Sequence, residues 1–263
     1  MDTDPAMSGD SRLTVLGSCG AWPEPGRACS GYVLEHAGFC IVIDLGYGTL
    51  TRLLQHLSST AADGIDAVVI THKHPDHMLD LHGLFRARWF SRRDQAPIPV
   101  YAADGVRERL AGLEEDDLGA IDQVFTWRAL PAGQYQLGPF RLDSWALPHF
   151  VPNAGVRFSA GDLTVAYTGD TGPDAALVEL ARDADLFIAE ATDRQRHRVS
   201  LAGQRMHLTS REAGEAARDA GVRRLMLTHF WPDNDRQSSE AAAREAFDGE
   251  ILLADEGLAV ALN

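Results

Sequence analysis

The chain has 263 residues, a formal net charge of −14 and 45% hydrophobic content, an ordinary globular composition at the upper end of what one hydrophobic core serves. An acidic surface repels phosphate backbones, so long nucleic acid would need a local basic patch, and no apolar run approaches the roughly 20 residues of a membrane span. Cys19, Cys29 and Cys40 lack CxxC spacing, which speaks against a disulfide framework or zinc knuckle and for a reduced, cytoplasmic setting.

Residues 1–10 (MDTDPAMSGD) lack the basic start and apolar stretch of a signal peptide and read as a disordered tail, leaving 11–263 as a single domain. LTVLG, GYVLEH and FCIVID follow as strands, the last two making a hairpin across Ala37-Gly38. Tyr47 to Leu57 has helical spacing, Ala67 to Ile70 (AVVI) is a strand, and Asp76 to Phe90 reads as a helix. IPVYA is then a strand and GVRERLAGL a helix. After an EEDD break come the strand candidates QVFTWRAL, QYQL, FRLDSWAL and GVRFSA.

LTVAYTGD is the next strand, followed by a helix opened by Pro173 and by the strand LFIAE. Thr209, with Glu212 three positions on, signs a capping box for the helix SREAGEAARDA, which stops at Gly221. RRLMLTH is a strand, SSEAAAREAF a helix, and ILLA with LAVAL a closing pair. Strand and helix runs in both halves with a β-rich middle argue for two packed sheets with helices outside, an α+β architecture.

Four segments share one pattern, an apolar strand followed at once by a ligand-capable residue: AVVI before His72, WALP before His149, VAYTG before Asp170 and LMLT before His229. Strand ends lying side by side would bring these residues to one rim, where loops vary over a rigid sheet. In THKHPDH, His72 and His74 stand two apart and can face one side, while Pro75 suits a first helical turn and sets Asp76 and His77 in it. Three histidines and an aspartate within six residues have no ordinary packing explanation, and they suit divalent metal binding. TGDTG by itself is equally well a turn in which Asp170 caps the next helix. His36, His56, His82 and His197 read as surface or satisfied core histidines; His82, five residues beyond His77, would point to another helix face.

The order HxHxDH, a lone histidine, GDT and a final LTH resembles the metallo-β-lactamase superfamily, over nearly the whole chain from LTVLGSCG to LLADEGLAV. The resemblance implies an αββα four-layer sandwich and a two-metal site, with His72, His74 and His149 on one ion, Asp76, His77 and His229 on the other, and Asp170 bridging. Zinc is the leading metal, and manganese or iron suits the same ligands. LPHFVPNAGVRF, AEATD and MHLTSREAGEAA resemble the branch of ribonuclease Z and cyclic nucleotide phosphodiesterases. On that likeness Glu190 would orient His207, His207 would protonate the leaving oxygen, and Asp76 would double as proton acceptor.

Full ribonuclease Z enzymes carry a long arm that grips transfer RNA between the lone histidine and GDT; here His149 and Asp170 are 21 positions apart with two strands between them. The missing arm and the acidic charge disfavour RNA and favour a small or cyclic nucleotide-type phosphodiester. Two basic stretches, RARWFSRR (Arg86 to Arg93) and DRQRHRVSLAGQR (Asp193 to Arg205), are either solvated loops or phosphate contacts. The alternatives are a transfer-RNA 3′-processing endonuclease, an ester or lactone hydrolase, and a non-catalytic metal or nucleotide-binding module. The branch resemblance also suggests a homodimer.

Overall fold

Strands that read as unbroken apolar runs are strands covered on both faces. In the computed structural model, which describes residues 11–91, 94–114, 119–194 and 203–262, Ile41 and Ile43 point into one apolar layer while Cys40 and Val42 point into another. Ala67 and Val69 against Val68 and Ile70 repeat the alternation on the next strand, and Leu186 and Ile188 against Phe187 and Ala189 repeat it in the other half. Each Leu, Ile or Phe enclosed in this way contributes about 1.5–3 kcal/mol.

Numbered in chain order, the strands of the described residues form two seven-stranded sheets. The first runs β14 (Ala259–Ala261), β1 (Arg12–Gly17), β2 (Gly31–His36), β3 (Phe39–Leu45), β4 (Ala67–Ile70), β5 (Ile98–Ala103), β6 (Phe125–Leu130). The second runs β13 (Glu250–Leu253), β12 (Arg224–Thr228), β11 (Leu186–Glu190), β10 (Leu163–Tyr167), β9 (Asn153–Ala160), β8 (Phe140–Leu147), β7 (Gln134–Leu137). Each sheet is part antiparallel and part parallel: β3 to β6 are parallel in one, β10 to β13 in the other.

The central layer lies between the sheets and includes Tyr32, Phe140, Phe158, Tyr167 and Met226. Outside the first sheet pack α1 (Thr49–His56), α3 (Asp80–Ser91), α4 (Val106–Ala111) and α5 (Ile121–Val124); outside the second pack α6 (Ala176–Ala181), α7 (Ser210–Ala220) and α8 (Arg236–Arg244). The result is an αββα four-layer sandwich.

The structure departs from the sequence expectations in four places. The helix expected over Asp76 to Phe90 is two, α2 (Pro75–Met78) and α3: at Leu79 the ladder tightens to a His82 N–H bond to the Leu79 carbonyl, and Asp80 turns its carboxylate to the Leu50 N–H of α1. The helix after GDT starts at Ala176, not Pro173, because Asp174 accepts the Ala176 N–H at 2.7 Å. Gln123 and Val124, read as strand, end α5. The two closing strands do not pair with each other: β13 joins β12, whereas β14 crosses to the first sheet and joins β1. The expected tail, residues 1–10, lies outside the described residues.

Candidate metal centre

Every candidate ligand stands just past the end of a strand. Thr71 and His72 follow β4, His74 caps α2 in an extended conformation, and Pro75 at the first helical position places Asp76 and His77 in a buried turn. His149 follows β8, Asp170 follows β10 and His229 follows β12. Two glycines let the chain close in. A Cβ on Gly169 would meet Asn153 Oδ1 at 2.4 Å and Thr71 Cβ at 2.9 Å, and one on Gly20 would meet His229 Cε1 at 2.6 Å.

The seven side chains form two groups that share Asp170, with the ligand atoms of each group within 4.8 Å of one another. In the first, His74 Nδ1 lies 3.1 Å from His72 Nε2 and 3.0 Å from His149 Nε2, and Asp170 Oδ2 lies 3.8 and 3.7 Å from those two Nε2 atoms. In the second, His229 Nε2 lies 3.2 Å from both Asp76 Oδ2 and Asp170 Oδ2, and His77 Nε2 lies 3.2 Å from Asp170 Oδ1. Ligands bonded at about 2.1 Å around a tetrahedral ion stand roughly 3.4 Å apart, so both groups fit one ion each. Asp170 Oδ1, deeply buried, has no hydrogen-bond donor.

The protons of the imidazoles are directed outward. His149 Nδ1 donates to the Met206 carbonyl at 3.1 Å and His77 Nδ1 to the Asp44 carboxylate at 2.7 Å. Thr71 spends its hydroxyl proton on Asp44, so it accepts from His72 Nδ1 at 3.1 Å. Thr192 spends its own on the His229 carbonyl, so it accepts from His229 Nδ1 at 2.7 Å. A neutral imidazole that donates at Nδ1 keeps a lone pair at Nε2, and these lone pairs converge with the carboxylate oxygens. A cation in each group satisfies that arrangement.

The charges agree. Burial, aided by the neighbouring histidines, pushes His72 well below the usual histidine range and His74 down to about 4. Burial would raise Asp170, but His229 and His77 outweigh it and hold the carboxyl well below the usual range; His77 and His229 do the same for Asp76. Burial would lower His77, yet Asp170, Asp44 and Asp76 drive it well above. Three carboxylates around one imidazole demand positive charge.

Asp44 is absent from the residues singled out in the sequence. Fully buried at φ 54°, it also accepts the Thr71 N–H at 2.8 Å and the Tyr167 hydroxyl at 3.0 Å, so it ties β3 of one sheet to β10 of the other beneath the site. A signal existed, since FCIVID ends on an aspartate just as AVVI and LMLT lead into histidines.

Glu190 and His207 lie beside the second group. His207 Nδ1 is 3.0 Å from Glu190 Oε1, and its ring stacks on that of His229 at 5.9 Å. Burial would lower His207, but the charge and hydrogen bond of Glu190, with Asp170 and Asp193, raise it to about 9. Glu190, His207 and His229 also approach within metal-binding range. Glu190 is already occupied, however, accepting the Thr171 N–H at 2.6 Å and the Thr192 N–H at 3.3 Å besides His207.

The described arginines of the two basic stretches face protein partners. Arg86 pairs with Glu114, Arg88 donates to the Ala62 carbonyl, and Arg205 grips both oxygens of Glu212 at 2.5 Å. Arg92, Arg93 and residues 195–202, with His197 among them, lie outside the described residues. His82 bonds Glu114 at 2.6 Å, His36 meets Ser11 and His56 meets Glu35, all away from the cluster. Among the described residues no helix is long and apolar enough to cross a membrane.

Residues 40–230 match the family described as beta-lactamase superfamily domain. The chain is 34% identical over 258 residues to an uncharacterized protein of Mycobacterium tuberculosis, covering 93% of this chain and 90% of that one. It is 30% identical over 282 residues to a ribonuclease Z of Kineococcus radiotolerans, covering 89% and 88%. The crystal structure of the metallo-β-lactamase fold protein YhfI from Bacillus subtilis superposes with a TM-score of 0.82 at 26% identity, covering 95% of this chain and 99% of that one.

Proposed function

The chain belongs to the metallo-β-lactamase superfamily of metal-dependent hydrolases, and we propose that within it the protein is a dinuclear phosphodiesterase acting on a small or cyclic nucleotide-type phosphodiester. The observation that carries this reading is the convergence of seven imidazole and carboxylate side chains on two groups that share Asp170, with His207 held against Glu190 beside them.

In this reading His72, His74 and His149 hold one ion, Asp76, His77 and His229 the other, and Asp170 both. Zinc is the first choice, and manganese or iron suits the same donors. When bound, the pair would bring a water's pKa toward neutrality and offset charge on phosphoryl oxygens. Asp76 is the proton acceptor on the water side. His207 gives its Nε2 proton to the departing alkoxide. Glu190 holds Nδ1, fixes the ring and sustains the charge.

Transfer RNA fits less well. β9 and β10 fill the interval between His149 and Asp170 and turn directly into one another, with Leu163 opposite Ala160. The 282-residue alignment to the ribonuclease Z exceeds the 263 residues of this chain, so it opens gaps in this chain, consistent with a relative that carries extra segments. We further propose that residues 11–263 work as one domain, since C-terminal β14 pairs with N-terminal β1.

The test is a panel of a 3′,5′-cyclic nucleotide, bis(p-nitrophenyl) phosphate, a lactone and a precursor transfer RNA, run with measured metal content. Cleavage of the first two supports the proposal. Preference for the lactone or the RNA replaces it, and an inert protein with full metal occupancy points to a binding module.

A further inference from the structure

Trp22 and Phe150, two of the four large apolar side chains exposed among the described residues, each follow a residue of the site: Ala21, whose N–H reaches Asp76, and His149. Trp22 is 50% and Phe150 59% exposed, whereas core aromatics such as Tyr32, Phe158 and Phe230 are enclosed. Leaving such a face in water forgoes the gain of burial, so its position matters.

Trp22 is placed by the site itself. The Ala21 N–H donates to Asp76 Oδ2 at 2.7 Å, and the Trp22 N–H closes on the Gly20 carbonyl at 2.8 Å. Ala21 thereby sits at φ 61°, a left-handed conformation that a residue with a Cβ holds only when its surroundings fix it. Trp231, two residues past His229, sets its ring 6.0 Å from that of Trp22. Their loops are joined by the Gly20 N–H to the Phe230 carbonyl at 2.8 Å and the Asp233 N–H to Glu24 at 2.6 Å. On the side of the other ligand group, Phe150 follows His149, with its ring 5.3 Å from that of His149 and 6.0 Å from that of His207.

The protein carries a net charge of −14, and Arg205, the described arginine nearest His207 in the chain, is committed to Glu212. Arg194, the other described arginine of that stretch, is likewise committed, donating to the Asp233 carbonyl. Aromatic faces offer affinity if the substrate presents a flat ring, because a nucleobase stacks on such a face whatever its identity.

We propose that Trp22, backed by Trp231, and Phe150 form a base-stacking rim, so that the substrate class is a purine or pyrimidine nucleotide diester. The inference rests on the phosphodiesterase reading and narrows it. A phosphate carrying the base binds more tightly than the same sugar phosphate without it, and the rim supplies the difference.

The experiment is calorimetric titration of zinc-loaded protein with adenosine 5′-monophosphate and with ribose 5-phosphate, for the wild type, Trp22→Ala, Trp22→Phe and Phe150→Ala. Zinc content is measured in each. The wild type should favour the nucleotide by about tenfold or more, the size of effect that removal of a base-stacking aromatic produces. The alanine variants should lose that margin with ribose 5-phosphate binding unchanged, and Trp22→Phe should restore most of it. Equal affinity of the wild type for both ligands overturns the rim, as does an equal weakening of both ligands in the alanine variants. Cyclic nucleotide hydrolysis measured alongside separates the two ideas. Hydrolysis without a base margin overturns the rim alone, a base margin without hydrolysis overturns the reaction alone, and the absence of both overturns both.

Discussion

Asp44 Oδ2 accepts the Nδ1–H of His77 at 2.7 Å, and neither side chain reaches solvent. The bond fixes the ring and leaves Nε2 to face Asp170 and Asp76. Partners of this kind typically govern metal affinity by about 10- to 100-fold. Asp44→Asn should therefore weaken binding at the Asp76, His77 and His229 group by that factor, read by competition with a chelator of known affinity. Unchanged affinity would show that His77 needs no such support.

His207 and Glu190 are tested by the leaving group. A 3′,5′-cyclic nucleotide releases an alkoxide that needs a proton, whereas p-nitrophenolate leaves without one. His207→Ala should lower kcat on the cyclic nucleotide by about 10²- to 10⁴-fold and on bis(p-nitrophenyl) phosphate far less, with metal content retained. Equal losses on both substrates would remove His207 from the acid role.

The pH dependence has a definite sign. Against the lowering effect of burial, the charge and hydrogen bond of Glu190 raise His207 from the roughly 6.5 of a free histidine to about 9 in the metal-free protein. A raised folded-state value gives stability that is complete below about pH 6.5 and is lost as pH climbs to about 9. Glu190→Gln should shift the NMR titration of His207 downward. It should also shrink the drop in urea midpoint between pH 6 and pH 9.5. A His207 midpoint unmoved by the substitution would contradict the pairing.

Gly172 separates packing from chemistry. A Cβ there would stand 1.9 Å from the Arg205 carbonyl, in the segment that continues into Met206, whose carbonyl holds His149, and His207, the candidate acid. Backbone against backbone cannot yield, and overpacking of this kind costs about 1–3 kcal/mol. Gly172→Ala should cut kcat at least about tenfold, while Gly133→Ala, which meets nothing within 4 Å, should leave it unchanged. Full activity in Gly172→Ala would free the 205–207 segment from the role given to it.

Much of this was legible in the chain. Candidate ligands at strand ends carry their identity in the sequence, so HxHxDH, His149, Asp170 and His229 could be singled out before any fold was known. Two packed sheets with helices outside followed from the order of strand and helix runs, with the capping box of Thr209 and Glu212 the clearest helix signal, and the family resemblance implied the four-layer sandwich. What escaped was of a different kind. The Met206 carbonyl holds His149 through the backbone, which has no residue signature, and Thr192 acts through a tertiary contact 37 residues away from His229. Asp44 hid inside a strand whose apolar run explained it well enough. β13 and β14 looked like a pair because sequence neighbours usually are, and only the sheet order separates them.

The most direct test is the rate of 3′,5′-cyclic nucleotide hydrolysis by protein of measured metal content, compared with His77→Ala. The account predicts hydrolysis that rises with occupancy toward two ions per chain and is lost in the variant. A wild-type protein carrying two ions that leaves the cyclic nucleotide and bis(p-nitrophenyl) phosphate intact while opening a lactone would contradict it, as would undiminished hydrolysis in His77→Ala.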